Sequence, residues 1–119
     1  VDDEPDVVRM VREMLEALGY EVECRTSSHQ ALQAFRAAPD RYDLIITDQT
    51  MPELNGDALI REIRCLRPGV PVILCSGYHE RLGPEIVAEL SIQACLQKPI
   101  DIDTLGRVVQ RVLSAAPLG

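Results

Sequence analysis

Aromatic side chains are scarce in this chain of 119 residues, which has no Trp, one Phe and three Tyr. Hydrophobic residues still make up 46% of the sequence, so a core must be built mainly from Leu, Ile, Val and Ala. A chain of this length is typical of one domain. We therefore expect a single domain over residues 1–119, with a frayed tail from 115 to 119.

Basic side chains are also in the minority, with 12 Lys and Arg against 19 Asp and Glu and a net charge of −7. Binding to nucleic acid requires clustered Lys and Arg, so this composition argues against such a partner. No apolar run is long enough to cross a bilayer, and we expect no membrane span. With no such run and no visible signal peptide, we expect a cytoplasmic domain.

The four cysteines form no Cys-x-x-Cys pair, and none stands at zinc-binding spacing from a His. Cys24, Cys75 and Cys95 lie within or at the ends of apolar segments. We expect small buried thiols in a reducing compartment, and Cys95 is predicted to pack in the core. A redox-sensing role is the alternative for Cys95.

Apolar residues alternate between helical and strand-like spacing along the chain. The predicted helices cover residues 5–18, 27–37, 56–66 and 84–90, and a last one that starts near 101–103. The predicted strands cover residues 20–24, 42–47, 70–75 and 92–96. Strands separated by helices indicate parallel β-α-β units. A first strand should also precede the first helix, but only Val1 stands before Asp2, so we expect that most of it is missing.

Asp48 follows the apolar residues 44–47 and begins a turn, which places a carboxylate where an open α/β sheet binds ligands. Other polar residues follow the remaining strands in the same way, namely Asp2, Asp3, Ser76 and Lys98. Three carboxylates at one sheet edge would raise one another's pKa unless a cation lay among them, and oxygen ligands of this kind favour Mg²⁺. With Lys98 and Ser76 to contact phosphate oxygens, Asp48 is a suitable nucleophile for an aspartyl phosphate.

Four motifs stand in the chain at residues 2–4 (DDE), 48–56 (DQTMPELNG), 76–77 (SG) and 98–99 (KP). Together they resemble the receiver domain of two-component response regulators over nearly the whole chain. Residues 56–63 and 71–78 are most similar to receivers attached to hybrid sensor kinases. The resemblance implies a flavodoxin-like (CheY-like) doubly wound parallel sheet of five strands, in the order 2-1-3-4-5, with five helices.

The resemblance also implies roles for individual residues. Asp48 would accept phosphate from a histidine kinase or phosphotransfer domain. Mg²⁺ would be bound by Asp48, directly by Asp3, through water by Asp2, and by the Thr50 carbonyl. An attached or separate kinase or effector domain would read the resulting conformational change, and the sequence leaves homodimer formation open.

A switch is implied in which Ser76 moves toward the phosphoryl group while Lys98 pairs with it. Receivers usually carry Tyr or Phe three residues before the lysine, where this chain has Cys95, so the coupling to the outer surface is expected to differ. Tyr78 is predicted to lie near the mouth of the site, where it would limit the access of water.

Two other functions stay open on the sequence alone. A pseudo-receiver that acts as a protein-interaction module would be consistent with Cys95 and with the missing first strand. A phosphatase of the haloacid dehalogenase type would need an acid two residues after its nucleophile, where this chain has Thr50. The combination of Asp3, Asp48, Ser76 and Lys98 favours a signalling switch that is not a metabolic enzyme.

Overall fold

The computed structural model describes residues 1–77 and 83–115. The described residues form five helices: α1 (Pro5–Ala17), α2 (Ser28–Ala37), α3 (Gly56–Leu66), α4 (Pro84–Glu89) and α5 (Ile102–Ala115). They also form three strands: β1 (Ile45–Asp48), β2 (Val72–Ser76) and β3 (Ala94–Gln97). Within these residues no helix is long and apolar enough to span a membrane.

The strands form one parallel sheet in the order β1-β2-β3. Asp48 is paired with Cys75, and Ser76 is paired with Gln97, so the carboxyl ends of all three strands meet at one edge. Every residue of β2 is buried, which explains why the central strand is continuously apolar up to Ser76. This edge carries most of the polar residues that the sequence singles out.

Helices cover both faces of the sheet, as the doubly wound fold requires. Side chains from α2 and α3 pack on one face, where Phe35, Leu59 and Ile63 are at most 2% exposed. Side chains from α1 and α5 pack on the other, including Leu15, Leu105 and Val109. Successive residues of a strand point to opposite faces, so β2 contributes Val72 and Leu74 to the first layer and Ile73 and Cys75 to the second.

The helix boundaries agree with their sequence signals to within about a turn. Pro5 begins α1, and Gly19 follows that helix with a φ of +96°. Ser27 caps α2, because its Oγ accepts a hydrogen bond from the Gln30 amide at 3.3 Å. The last helix continues through Ala115, so the predicted tail starts later than expected, and residues 116–119 lie outside the described part of the chain.

The strand predicted over residues 20–24 is not formed. A strand requires a hydrogen-bonded partner, and a cavity of about 580 Å³ separates this segment from β1. Among the described main-chain hydrogen bonds, those of Val1 and Asp2 connect β1 to Arg25, just past this segment. The Val1 carbonyl accepts from the Asp48 amide at 2.8 Å, and the Asp2 amide donates to the Arg25 carbonyl at 3.3 Å. Val1 therefore lies where the end of the predicted first strand was expected, and the described sheet has three strands where the complete fold has five.

Candidate functional site

Three carboxylates converge at the carboxyl edge of the sheet, those of Asp2, Asp3 and Asp48. One oxygen from each lies within 4.8 Å of the others. Asp48 is the last residue of β1, and Asp2 is brought beside it because Val1 pairs with that strand. Asp48 is 4% exposed and Asp2 is 6% exposed, whereas Asp3 is open to solvent. Two of the three acids are therefore held almost out of water.

Lys98 joins the two buried acids. Its Nζ donates to Asp2 Oδ2 at 3.2 Å and lies 3.0 Å from Asp48 Oδ1. The main chain holds the residue in place, because the Lys98 amide donates to the Ser76 carbonyl at 2.8 Å. Lysine, unlike arginine, presents a compact charge that can be shared between neighbouring oxygens. The single ammonium thus partly neutralises a group of three carboxylates.

The pKa values of this pair follow from burial and charge. Burial raises the pKa of the Asp48 carboxyl above its ordinary value, and the negative charge of Asp2 adds to this, while Lys98 opposes it. Burial lowers the pKa of the Lys98 ammonium. Its contact with Asp48 and the negative charge of Asp2 outweigh burial, so the pKa of Lys98 lies above its ordinary value. The ammonium stays charged, and the excess of negative charge falls on the acids.

One oxygen of Asp48 lacks a regular hydrogen bond. Oδ1 is buried, and although Lys98 Nζ lies 3.0 Å away in an ion pair, no described residue donates a well-aligned hydrogen bond to this atom. This oxygen therefore has the charge of Lys98 beside it but still has room in its coordination for a further partner. The clustered oxygen donors around it have the chemistry of a site for a hard divalent cation.

Ser76 lies at the same edge as Asp48. It is the last residue of β2, is 6% exposed, and stands one residue beyond the partner of Asp48 in the strand register. Thr50 is exposed and lies two residues beyond Asp48, in the loop that connects β1 to α3. Tyr78 lies outside the described residues. The structure thus brings together Asp2, Asp3, Asp48, Ser76 and Lys98, with Thr50 nearby.

Cys95 is exposed, and the prediction that it packs in the core is wrong. Burial alternates along β3, so Ala94 and Leu96 pack against the layer formed with α1 and α5 while Cys95 faces away from it. Leu74 is the Cα partner of Cys95 in the strand register. Of the three thiols predicted to be buried, only Cys75 is fully so, because Cys24 is half-exposed.

The loop after Asp48 contains contacts that sequence reasoning missed. The Gly56 amide donates to the Gln49 carbonyl at 2.7 Å, and a Cβ on Gly56 would lie 2.4 Å from the Asp48 carbonyl oxygen. Only glycine permits this approach of α3 to the end of β1. Gln49 also binds Asp57 through its side chain. The glycine in the DQTMPELNG motif could have indicated the close approach of α3 to β1. The contact between Gln49 and Asp57 could not have been predicted, because no known sequence pattern pairs a glutamine with an aspartate eight residues later.

Comparison with known proteins identifies the family. The model of the response regulator receiver domain matches residues 1–110. This chain belongs to the response regulator receiver family. Receivers are phosphoacceptors of two-component signalling, and they act as switches that are not metabolic enzymes in the usual sense.

Relatives and solved structures agree with this assignment. The receiver is 32% identical to the regulatory protein AtoC of Escherichia coli, covering 95% of the receiver and 24% of AtoC. It is 31% identical to a CpxR homolog of Haemophilus influenzae, covering 98% of the receiver and 51% of that protein. A receiver domain protein from Clostridium thermocellum superposes with a TM-score of 0.88 at 27% identity, covering 95% of this chain and 90% of the other.

The chemotaxis protein CheY4 of Vibrio cholerae also has the same fold. It superposes with a TM-score of 0.82 at 28% identity, covering 93% of the receiver and 92% of CheY4. These matches confirm the CheY-like fold predicted from the sequence. The receiver spans about a quarter of the length of AtoC and of ZraR from Escherichia coli. Its placement in a hybrid sensor kinase stays a prediction.

Proposed function

We propose that this receiver accepts a phosphoryl group on Asp48 from the phosphohistidine of a histidine kinase or phosphotransfer domain, in a reaction that requires Mg²⁺. The observation that supports this most strongly is the state of Asp48. It is buried at the end of β1, paired with Lys98, and presents an oxygen that accepts no regular hydrogen bond from the described residues. An ordinary structural aspartate would have its oxygens satisfied.

The residues present fit Mg²⁺ as the cofactor. The carboxylates of Asp2, Asp3 and Asp48 and the carbonyl of Thr50 would hold it, with water completing the coordination. When bound, Mg²⁺ supplies positive charge that neutralises and orients the phosphoryl oxygens. The donors are all oxygen atoms, which is the ligand type that this cation prefers over nitrogen or sulfur.

Phosphotransfer then depends on the chain's own groups. An Asp48 carboxylate oxygen attacks phosphorus and forms the new O–P bond while the P–N bond to the donor imidazole breaks. The electron pair of that bond stays on the imidazole nitrogen, which the donor side can then protonate. Lys98 is already within ion-pair distance of Asp48 and can pair with a phosphoryl oxygen without a large movement. Ser76 can donate a hydrogen bond to a second oxygen.

The phosphorylated state would be read by another domain. Attraction of Ser76 and Lys98 to the new charge favours a second arrangement of the segments that follow β2 and β3. Relatives such as AtoC and ZraR are about four times as long as this receiver. We therefore infer that an attached or partner effector or kinase domain receives the signal.

The test is phosphorylation by a small acyl phosphate in the presence of Mg²⁺, followed by intact mass. We expect one labile phosphate on the parent and none on Asp48→Asn. Asp43→Asn is the matched control, because Asp43 is an exposed aspartate just before β1 and should leave phosphorylation unchanged. The absence of any adduct on the parent would favour a pseudo-receiver. Sustained hydrolysis of a phosphomonoester would favour a phosphatase.

A further inference from the structure

Asn55 is the N-cap residue of α3, yet its side chain does not cap that helix. An N-cap asparagine usually accepts a hydrogen bond from an amide in the first turn of its own helix. Here the Asn55 Oδ1 accepts instead from the Met51 amide at 3.3 Å. The Asn55 carbonyl still accepts the first helical bond, from the Leu59 amide at 3.0 Å. The side chain has therefore been diverted from α3 to the loop after Asp48.

Gln49 performs the capping that Asn55 does not. Its Oε1 accepts from the Asp57 amide in the first turn of α3 at 3.0 Å, and its Nε2 donates to Asp57 Oδ1 at 3.1 Å. Gln49 is 7% exposed, and its main chain is also held, because its amide donates to the Cys75 carbonyl at 2.9 Å. With α3 capped from the far end of the loop, the Asn55 side chain is available to bind Met51.

The bond from Met51 to Asn55 fixes the direction of the Thr50 carbonyl. The Thr50 carbonyl and the Met51 amide belong to the same peptide group, which is planar and trans. In such a group the N–H and the C=O point to opposite sides. Holding the Met51 N–H against Asn55 Oδ1 therefore points the Thr50 carbonyl away from Asn55. Without this bond, the peptide could rotate about its flanking dihedral angles.

We propose that Asn55 and Gln49 are positioning residues that orient the Thr50 carbonyl as a ligand for Mg²⁺. Asn55 acts directly on the peptide group, and Gln49 acts by capping α3 in its place. This inference rests on the proposed Mg²⁺-dependent function. It adds two residues that touch neither the phosphoryl group nor the cation but set the geometry of one ligand.

The test is titration with Mg²⁺, followed by the shifts of backbone amides in two-dimensional NMR spectra. We expect Asn55→Ala to bind Mg²⁺ about tenfold more weakly than the parent, the lower end of the range for removing a residue that orients a metal ligand. Hydrogen exchange at the Met51 amide should become faster in the same variant. Asn55→Asp keeps an oxygen acceptor at this position, so it should bind Mg²⁺ at least as tightly as the parent.

Two further variants separate positioning from loss of stability. Arg64→Ala perturbs the opposite end of α3, and it should lower stability without changing Mg²⁺ affinity. Gln49→Leu removes the cap and should weaken Mg²⁺ binding. Parent-like affinity in Asn55→Ala would overturn the inference, as would equal weakening in Asn55→Ala and Asn55→Asp. If the parent itself bound no Mg²⁺, the proposed function would fail together with this inference.

Discussion

Replacing Gly56 by alanine tests the close approach of α3 to Asp48. A Cβ at this position would lie 2.4 Å from the Asp48 carbonyl oxygen, 2.8 Å from Leu74 Cδ1 and 3.0 Å from Gln49 Cα. Two of these three neighbours are main-chain atoms, which cannot move aside as the end of a side chain can. The start of α3 must therefore shift away from β1, by about 1 Å if ordinary contact distances of about 3.5 Å are to be restored.

The cost of this shift can be worked from its parts. Overpacking in a well-packed region costs about 1–3 kcal/mol. Weakening the hydrogen bond from the Gly56 amide to the Gln49 carbonyl, now 2.7 Å, adds about 1 kcal/mol. Alanine recovers at most about 1 kcal/mol through its better helix propensity. We expect Gly56→Ala to lower the free energy of unfolding by about 2 kcal/mol, and to reduce phosphorylation, because the displaced atoms adjoin Asp48.

Gly106→Ala is the matched control in α5. Its Cβ would meet only Leu18 Cδ1 at 3.4 Å and Met14 Sδ at 4.0 Å, both in flexible side chains. We expect this variant to be more stable than the parent by about 0.5–1 kcal/mol, since it gains helix propensity without a clash. Urea unfolding of both variants and the parent measures the difference. A Gly56→Ala protein as stable as Gly106→Ala would refute the steric argument.

Further predictions concern Arg64 and the protonation of Asp48. Arg64→Ala should lower the free energy of unfolding by about 2 kcal/mol in urea titrations, because its guanidinium donates to the carbonyls of Pro68, Leu90 and Ser91. At pH 7 without Mg²⁺, Asp48→Asn should be more stable than the parent, since burial raises the pKa of Asp48 and the ionised group destabilises the fold. Mg²⁺ should stabilise the parent more than Asp48→Asn, which thermal melting with and without the cation would measure.

Each of these has a result that would count against it. Arg64→Lys keeps the charge but not the fork of donors, and parent-like stability in that variant would show that the carbonyl contacts contribute little. The advantage of Asp48→Asn should shrink as the pH falls from 7, because Asp48 of the folded parent takes up a proton at a higher pH than Asp48 of the unfolded chain. It should be smallest below about 4, the ordinary pKa of an aspartate, where both the folded and the unfolded parent are protonated. An advantage that stayed constant between pH 7 and pH 4 would contradict a raised pKa.

Most helices and strands of this fold could be predicted from local sequence signals. The prediction for α3 matches the structure over Gly56–Leu66, because its apolar residues keep a helical period between a glycine and a helix-ending Arg-Pro-Gly. The strand over residues 20–24 failed because pairing is not a local property. Its alternating pattern satisfies the period of a strand, but a ladder of hydrogen bonds requires a neighbour, and no strand of the described residues pairs with this segment.

The sequence alone was sufficient to place Asp48, Ser76 and Lys98 at one edge, because parallel strands expose their carboxyl ends together. Tertiary structure decided the rest. It placed one ammonium between Asp2 and Asp48, and it left the Cys95 side chain exposed. It also made Gln49, and not Asn55, the residue whose side chain caps α3. Such features depend on distances between atoms far apart in the chain. Hydrophobic periodicity predicts the face of a helix or strand on which a side chain lies. It does not predict which atoms of other elements that side chain contacts.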